Sequence, residues 1–102
     1  MASGERTPTL SGKEMVVLGL LAGGEMYGLE LVEASEGQLK RGTVYVTLNR
    51  MADKGYVESR QERPQGDAIG LPRRLYRPTA LGRRLFELCT MVRERLAVEP
   101  AR

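Results

Sequence analysis

Asn49 and Arg50 stand side by side in the sequence, within a stretch whose apolar spacing is helical. They carry side chains able to recognise the edges of nucleic-acid bases, since the Asn amide pairs bidentately with adenine and the Arg guanidinium with guanine. A second group, Arg63, Arg73, Arg74 and Arg77, lies in a segment with strand-like alternation around a run rich in Gly and Pro. Arginines so placed suit phosphate oxygens, where they anchor a protein without reading sequence. Both sets are also ordinary solvated surface residues, so the surrounding charge has to decide.

The charge is unevenly distributed. Residues 1–39 carry two bases and six acids, a net charge of −4, whereas residues 40–84 carry eleven bases and four acids, a net charge of +7. A formal total of +3 thus conceals one basic central segment, the footprint of a surface that meets a polyanion. Other chemistry is poorly supplied. The chain has no His and a single Cys, which removes the commonest general base, the commonest metal ligand and any thiolate cluster. No nucleophile–base pair is recognisable, and no enzyme, metal site or cofactor is expected. Cys89 lies in an apolar helical pattern and reads as buried filler rather than a redox sensor.

At 102 residues the chain has the size of one domain. Its apolar content of 41% with only 5% aromatic residues indicates packed helices with a core of Leu, Val, Met and Ala. The first ten residues lack the pattern of a secretion signal, and the apolar run from Met15 to Ala22 is too short to span a bilayer. A cytoplasmic protein without a membrane partner is expected.

Residues 1–9 are aperiodic and read as a flexible arm. Ser11 and Glu14 have the spacing of a capping box, opening a helix from Gly12 to about Ala22 that Gly23-Gly24 closes. A second helix follows from about Tyr27 to Ser35, where Gly28 suggests a close contact between helices, because an internal glycine otherwise costs about 1 kcal/mol. The third starts with Thr43 as N-cap and stops at Gly55, with Val44, Leu48, Met51 and Ala52 forming its apolar stripe. Its other side shows Tyr45, Val46, Asn49 and Arg50. Tyr56 to Glu62 and Arg73 to Arg77 alternate as two strands of a basic ribbon, separated by an exposed loop at 63–72. Thr79 then caps a last helix, in which Leu81, Leu85, Leu88, Val92 and Leu96 recur at helical steps. That helix has more apolar surface than a small monomer readily buries, so Leu85, Leu88, Val92 and Leu96 are expected at a contact with a second copy; folding back on its own core is the alternative.

The order helix, helix, helix, hairpin, helix is that of a winged helix-turn-helix. The expected class is mainly α, an α+β winged helix-turn-helix with three helices, a two-stranded wing and a C-terminal dimerisation helix. Residues 10–80 form the DNA-binding domain and residues 81–102 the dimerisation helix and tail.

The stretch RGTVYVTLNRMADKGYVES, Arg41 to Ser59, resembles the recognition segment of PadR-like transcriptional regulators. Leu18-Gly19-Leu20-Leu21 with Gly28-Leu29-Glu30-Leu31 is similar to their first two helices, and Arg73 to Gly82 to their second wing strand and the helix start after it. The resemblance covers about residues 10–96. It departs at Val46, where the family commonly has Pro, and at Lys40-Arg41, which replaces a frequent Ser-Pro; these changes bear on base contacts and leave the fold intact.

The resemblance implies a homodimeric regulator, usually a repressor, of the short subfamily with one C-terminal helix, bound to double-stranded DNA at a palindromic operator. By position, Thr43 and Tyr45 would contact phosphates, Asn49 and Arg50 would face the groove, and Arg73 and Arg74 would sit on the wing. Lys40, Arg41, Val46, Arg63 and Arg77 complete the expected DNA-contacting set. A small apolar effector is a further partner the resemblance allows: Met15, Met91 and Phe86 could line a cavity at a dimer interface or simply fill the core. A winged-helix module that binds protein rather than DNA is the rival reading, and the +7 segment argues against it.

Overall fold

The computed structural model describes residues 9–62 and 73–98. The elements run α1 (Gly12–Leu21), β1 (Met26–Tyr27), α2 (Gly28–Ala34), α3 (Val44–Asp53), β2 (Val57–Glu62), β3 (Arg73–Pro78) and α4 (Ala80–Val98). This is a winged helix-turn-helix. The expected flexible arm, save Thr9, the expected loop at residues 63–72 with Arg63, and the expected tail at residues 99–102 lie outside the described residues.

The capping box that opens α1 is formed. Ser11 Oγ accepts from the Glu14 amide at 3.2 Å, and Glu14 Oε1 accepts from the Ser11 amide at 2.9 Å. Between α1 and α2 the chain makes β1, which the sequence did not announce, since two residues are too few to show alternation. β1 pairs antiparallel with β3, so the wing is a three-stranded sheet of order β1-β3-β2 rather than a two-stranded ribbon. The helix contact expected at Gly28 is present: a Cβ there would lie 2.6 Å from Cε1 of Tyr45, so glycine lets the first turn of α2 meet the ring of α3's second residue.

The start of α3 differs from expectation in one respect. Thr43 occupies the N-cap position, but its φ of −126° and ψ of −8° hold the hydroxyl away from the first-turn amides, and it makes no capping bond. The end of α3 is closed twice over. The Gly55 amide donates to Ala52 O and the Tyr56 amide to Met51 O, with Gly55 at a φ of +82°, which is the Schellman arrangement. The chain then enters β2 directly.

The same junction receives the start of α4. The Thr79 amide donates to Tyr56 O at 3.0 Å, while the Thr79 hydroxyl donates to Gly55 O and accepts from the Gly82 amide. Gly82 sits so close beneath that a Cβ would be 2.0 Å from Tyr56 O. No side chain fits there.

Val17, Leu18, Leu31, Val44, Leu48 and Met51 lie at the centre of the core, all almost fully enclosed. Leu85 joins this core with only 9% exposure, because the proximal half of α4 packs against α1. It is therefore withdrawn from the surface expected of it. Leu88, Val92 and Leu96, farther along the helix, remain 50%, 58% and 67% exposed. Cys89 is half-buried against the core, as filler. Met15 and Phe86 also pack partly buried against the core, while Met91 faces outward, so within one subunit these three do not line a common cavity.

Candidate nucleic-acid interface

The exposed side of α3 carries Tyr45, Val46, Asn49 and Arg50, opposite the buried Val44, Leu48 and Met51. The turn ahead of it is fixed by Lys40 O, which accepts from the amides of Thr43 and Val44 at 3.1 and 2.9 Å. This leaves the side chains of Lys40, Arg41 and Thr43 exposed. Since Thr43 does not cap the helix, its hydroxyl and the amides of Tyr45 and Val46 are left for an outside acceptor such as a phosphate oxygen.

Arg50, Val46, Thr47 and Thr43 line a recess whose opposite wall is the start of α1, with Ser11 and Lys13. Lys54 closes it, one turn beyond Arg50. The Lys54 ammonium lies 2.8 Å from Oε2 of Glu14. Burial pushes the Glu14 carboxyl up, but hydrogen bonds from Lys54 and Ser11 together with the Lys54 charge outweigh it and hold the group below its ordinary value. The carboxylate thus stays ionised and fixes α1 against the end of α3.

The register of the wing decides what its arginines can reach. Pairs directly opposed across the strands share a face, so Arg74, Tyr76 and Pro78 lie with Gln61, Ser59 and Val57, and Arg73, Leu75 and Arg77 lie with Glu62, Arg60 and Glu58. The first face bears the core residues Val57 and Tyr76. Its outer end carries Arg74, which donates to Ser59 Oγ at 3.0 Å and borders a recess shared with Tyr45 of α3 and Gly28 of α2. Arg74 is therefore on the side of the reading helix.

The second face is a lattice of opposite charges. Arg60 holds Glu25 with two bonds of 3.2 and 3.0 Å, which keeps the Glu25 carboxyl below its ordinary value. Arg77 donates to Glu58 at 2.8 Å. The Tyr27 hydroxyl donates to Glu62, and the Arg73 guanidinium lies 5.0 Å from the centre of the Tyr27 ring.

The structure thus brings Lys40, Arg41, Thr43, Tyr45, Val46, Asn49, Arg50 and Arg74 around α3, and sets Arg77 apart on the opposite face with its charge matched. Arg73 stacks on Tyr27 at the edge between. Among the described residues, no carboxylate stands within ion-pair distance of Lys40, Arg41, Arg50, Arg73 or Arg74. Two cations were not foreseen. Lys54 could have been, because it follows Arg50 by four residues and must share its side of a helix; Lys13 joins only through the packing of α1 on α3.

Among the described residues, no helix is long and apolar enough to cross a membrane. The sequence profile of the PadR-like transcriptional regulator family matches residues 17–88. Among curated proteins the sequence has no match. Solved structures share the fold. A PadR family regulator from Clostridium difficile R20291 superposes with a TM-score of 0.73 at 24% identity, over 82% of this chain and 88% of that one. The PadR-like regulator from Bacillus cereus ATCC 14579 gives 0.66 at 20% identity, over 83% and 84% of the two chains. PadR of Bacillus subtilis, solved in complex with operator DNA, gives 0.67 at 19% identity over 90% of this chain. This chain spans 50% of that protein's length.

Proposed function

The chain belongs to the PadR-like family of transcriptional regulators, and on that premise we propose that it is a repressor that binds a palindromic operator as a homodimer. Each subunit lays α3 in the major groove and sets its wing against the flanking backbone. Asn49 and Arg50 read base edges; Lys40, Arg41, Thr43, Tyr45 and Arg74 contact phosphates and position the helix. Arg63, which follows β2 in the sequence, is assigned to the same backbone.

The observation that carries this reading is the separation of charge in the fold. Among the described residues, Lys40, Arg41, Arg50 and Arg74 around α3 are in no ion pair and only Lys54 there is tied to a carboxylate, whereas Arg60 and Arg77, on the outer face of the sheet, are matched by Glu25 and Glu58. One side of the subunit is thereby left positive toward a polyanion. The copy-to-copy contact is assigned to the distal half of α4, where Leu88, Val92 and Leu96 are exposed. A dimer of this kind sets its reading helices about one helical turn of DNA apart, roughly 34 Å.

Fluorescence-anisotropy titration against duplex DNA from upstream of the chain's own gene, with scrambled duplex as control and across several salt concentrations, tests the proposal. Tight binding that weakens steeply with salt and favours the upstream duplex is expected. Weak, equal binding to both, repeated across a pool of random duplexes, would instead make the domain a protein-binding module.

A further inference from the structure

The exposed side of α3 carries one large side chain that can neither donate nor accept a hydrogen bond and yet is not covered. Val46 is 49% exposed and shares its side of the helix with Asn49 and Arg50, three and four residues on. A β-branched residue there weakens the helix slightly and leaves apolar area in water. Its neighbour Tyr45 is accounted for by the ring laid against Gly28. Among the described residues Val46 has no such partner, and it instead borders the polar recess of Thr43, Thr47 and Arg50.

Its place in the helix restricts what it can meet. Val46 is the third residue of α3, in the N-terminal half, the part of a reading helix that reaches base edges. The edges shown in the major groove are hydrogen-bonding groups with a single apolar exception, the C5-methyl of thymine. Arg50 beside it, in no ion pair among the described residues, and Lys13 across the recess suit a polyanion better than an apolar protein surface.

We propose that Val46 reads the methyl group of a thymine, and so specifies an A·T pair in each half-site next to the pairs read by Asn49 and Arg50. The assignment rests on the DNA-binding reading above. Removing one methyl from the contact is worth about a three- to fivefold change in affinity per half-site.

The test begins with selection of binding sequences from a random duplex pool by the wild-type protein and by Val46→Ala, whose circular dichroism should match wild type because the position is exposed. In the selected duplex, each thymine is then replaced in turn by deoxyuridine, which lacks only the methyl. Wild type should lose about three- to fivefold at one thymine per half-site, Val46→Ala should be indifferent at that position, and Asn49→Ala should still respond. Tolerance of deoxyuridine at every position, or equal losses for wild type and Val46→Ala, would overturn the proposal while leaving DNA binding intact. Recovery of no common sequence by the wild type would overturn the DNA-binding reading itself, and this one with it.

Discussion

The Lys54 ammonium at the end of α3 lies 2.8 Å from Oε2 of Glu14 in the first turn of α1, forty residues earlier. Oε1 of the same carboxylate takes the Ser11 amide, so one nearly buried group both closes a capping box and ties α1 to the reading helix. The Lys54 ammonium also stands 5.6 Å from the centre of the Tyr56 ring. Replacing Lys54 by Met leaves an inward carboxylate without its charged partner, at a cost of about 1–3 kcal/mol. Calorimetry should show a lower Tm for Lys54→Met, and partial recovery when Glu14→Gln is added.

The same carboxylate sets an acid limit. Its folded-state pKa lies below the ordinary value of 4.5, so its contribution is fully present above that value and is lost as pH falls through the folded one. Urea unfolding of wild type should weaken more steeply between about pH 5 and pH 3 than that of Glu14→Gln. Parallel pH profiles would show that Glu14 is not a source of the acid sensitivity.

Two glycines should respond oppositely to alanine. At Gly82 the added Cβ would meet the backbone oxygen of Tyr56 at 2.0 Å, and neither strand nor helix can give way cheaply; a loss of about 3 kcal/mol or more in denaturant unfolding is expected. At Gly28 it would meet the ring of the exposed Tyr45, which can swing aside. Gly28→Ala should change stability by less than about 1 kcal/mol while weakening DNA binding through the displaced Tyr45.

Three arginines separate reading, anchoring and scaffolding. Arg50→Ala should reduce the preference for operator over scrambled duplex, whereas Arg74→Ala should weaken both alike and lower the salt slope by about one. Arg77→Ala should leave affinity and salt slope near wild type, since its guanidinium is matched by Glu58 on the far face of the sheet. Equal effects from all three would show that the sheet register does not sort these side chains by role.

The apolar stripe of α4 divides in the same way. Leu88→Asp together with Val92→Asp should give a monomer in sedimentation with an unchanged helical spectrum, because both positions are more than half or about half exposed. Leu85→Ala should instead lower stability by about 2–4 kcal/mol through a cavity in the core. A dimer that survives the double substitution would move the contact elsewhere.

Where the physics is local, the sequence was readable. The capping box at Ser11 and Glu14, the glycine stop of α3 and the switch of period at Tyr56 each depend on residues a few positions apart. What it could not show depends on separation. The Glu14–Lys54 bond needs α1 and α3 already packed, and β1 is visible only through its partner β3. Helical spacing placed Leu85, Leu88, Val92 and Leu96 on one stripe, but only the packing of α1 shows where the chain's own core ends. The face of Arg77 follows from strand register, and Thr43 reads as a cap until its backbone angles are known.

The junction of Gly55, Tyr56, Thr79 and Gly82 has a mechanical consequence. Thr79, at the start of α4, donates to the carbonyls of Gly55 and Tyr56, the same two residues whose amides close the last turn of α3. Gly82 leaves no gap between the backbones, so the helix that reads and the helix assigned to pairing are joined without a hinge. Adjustment to half-sites spaced slightly too near or too far therefore falls to the seam between the two copies or to bending of the DNA.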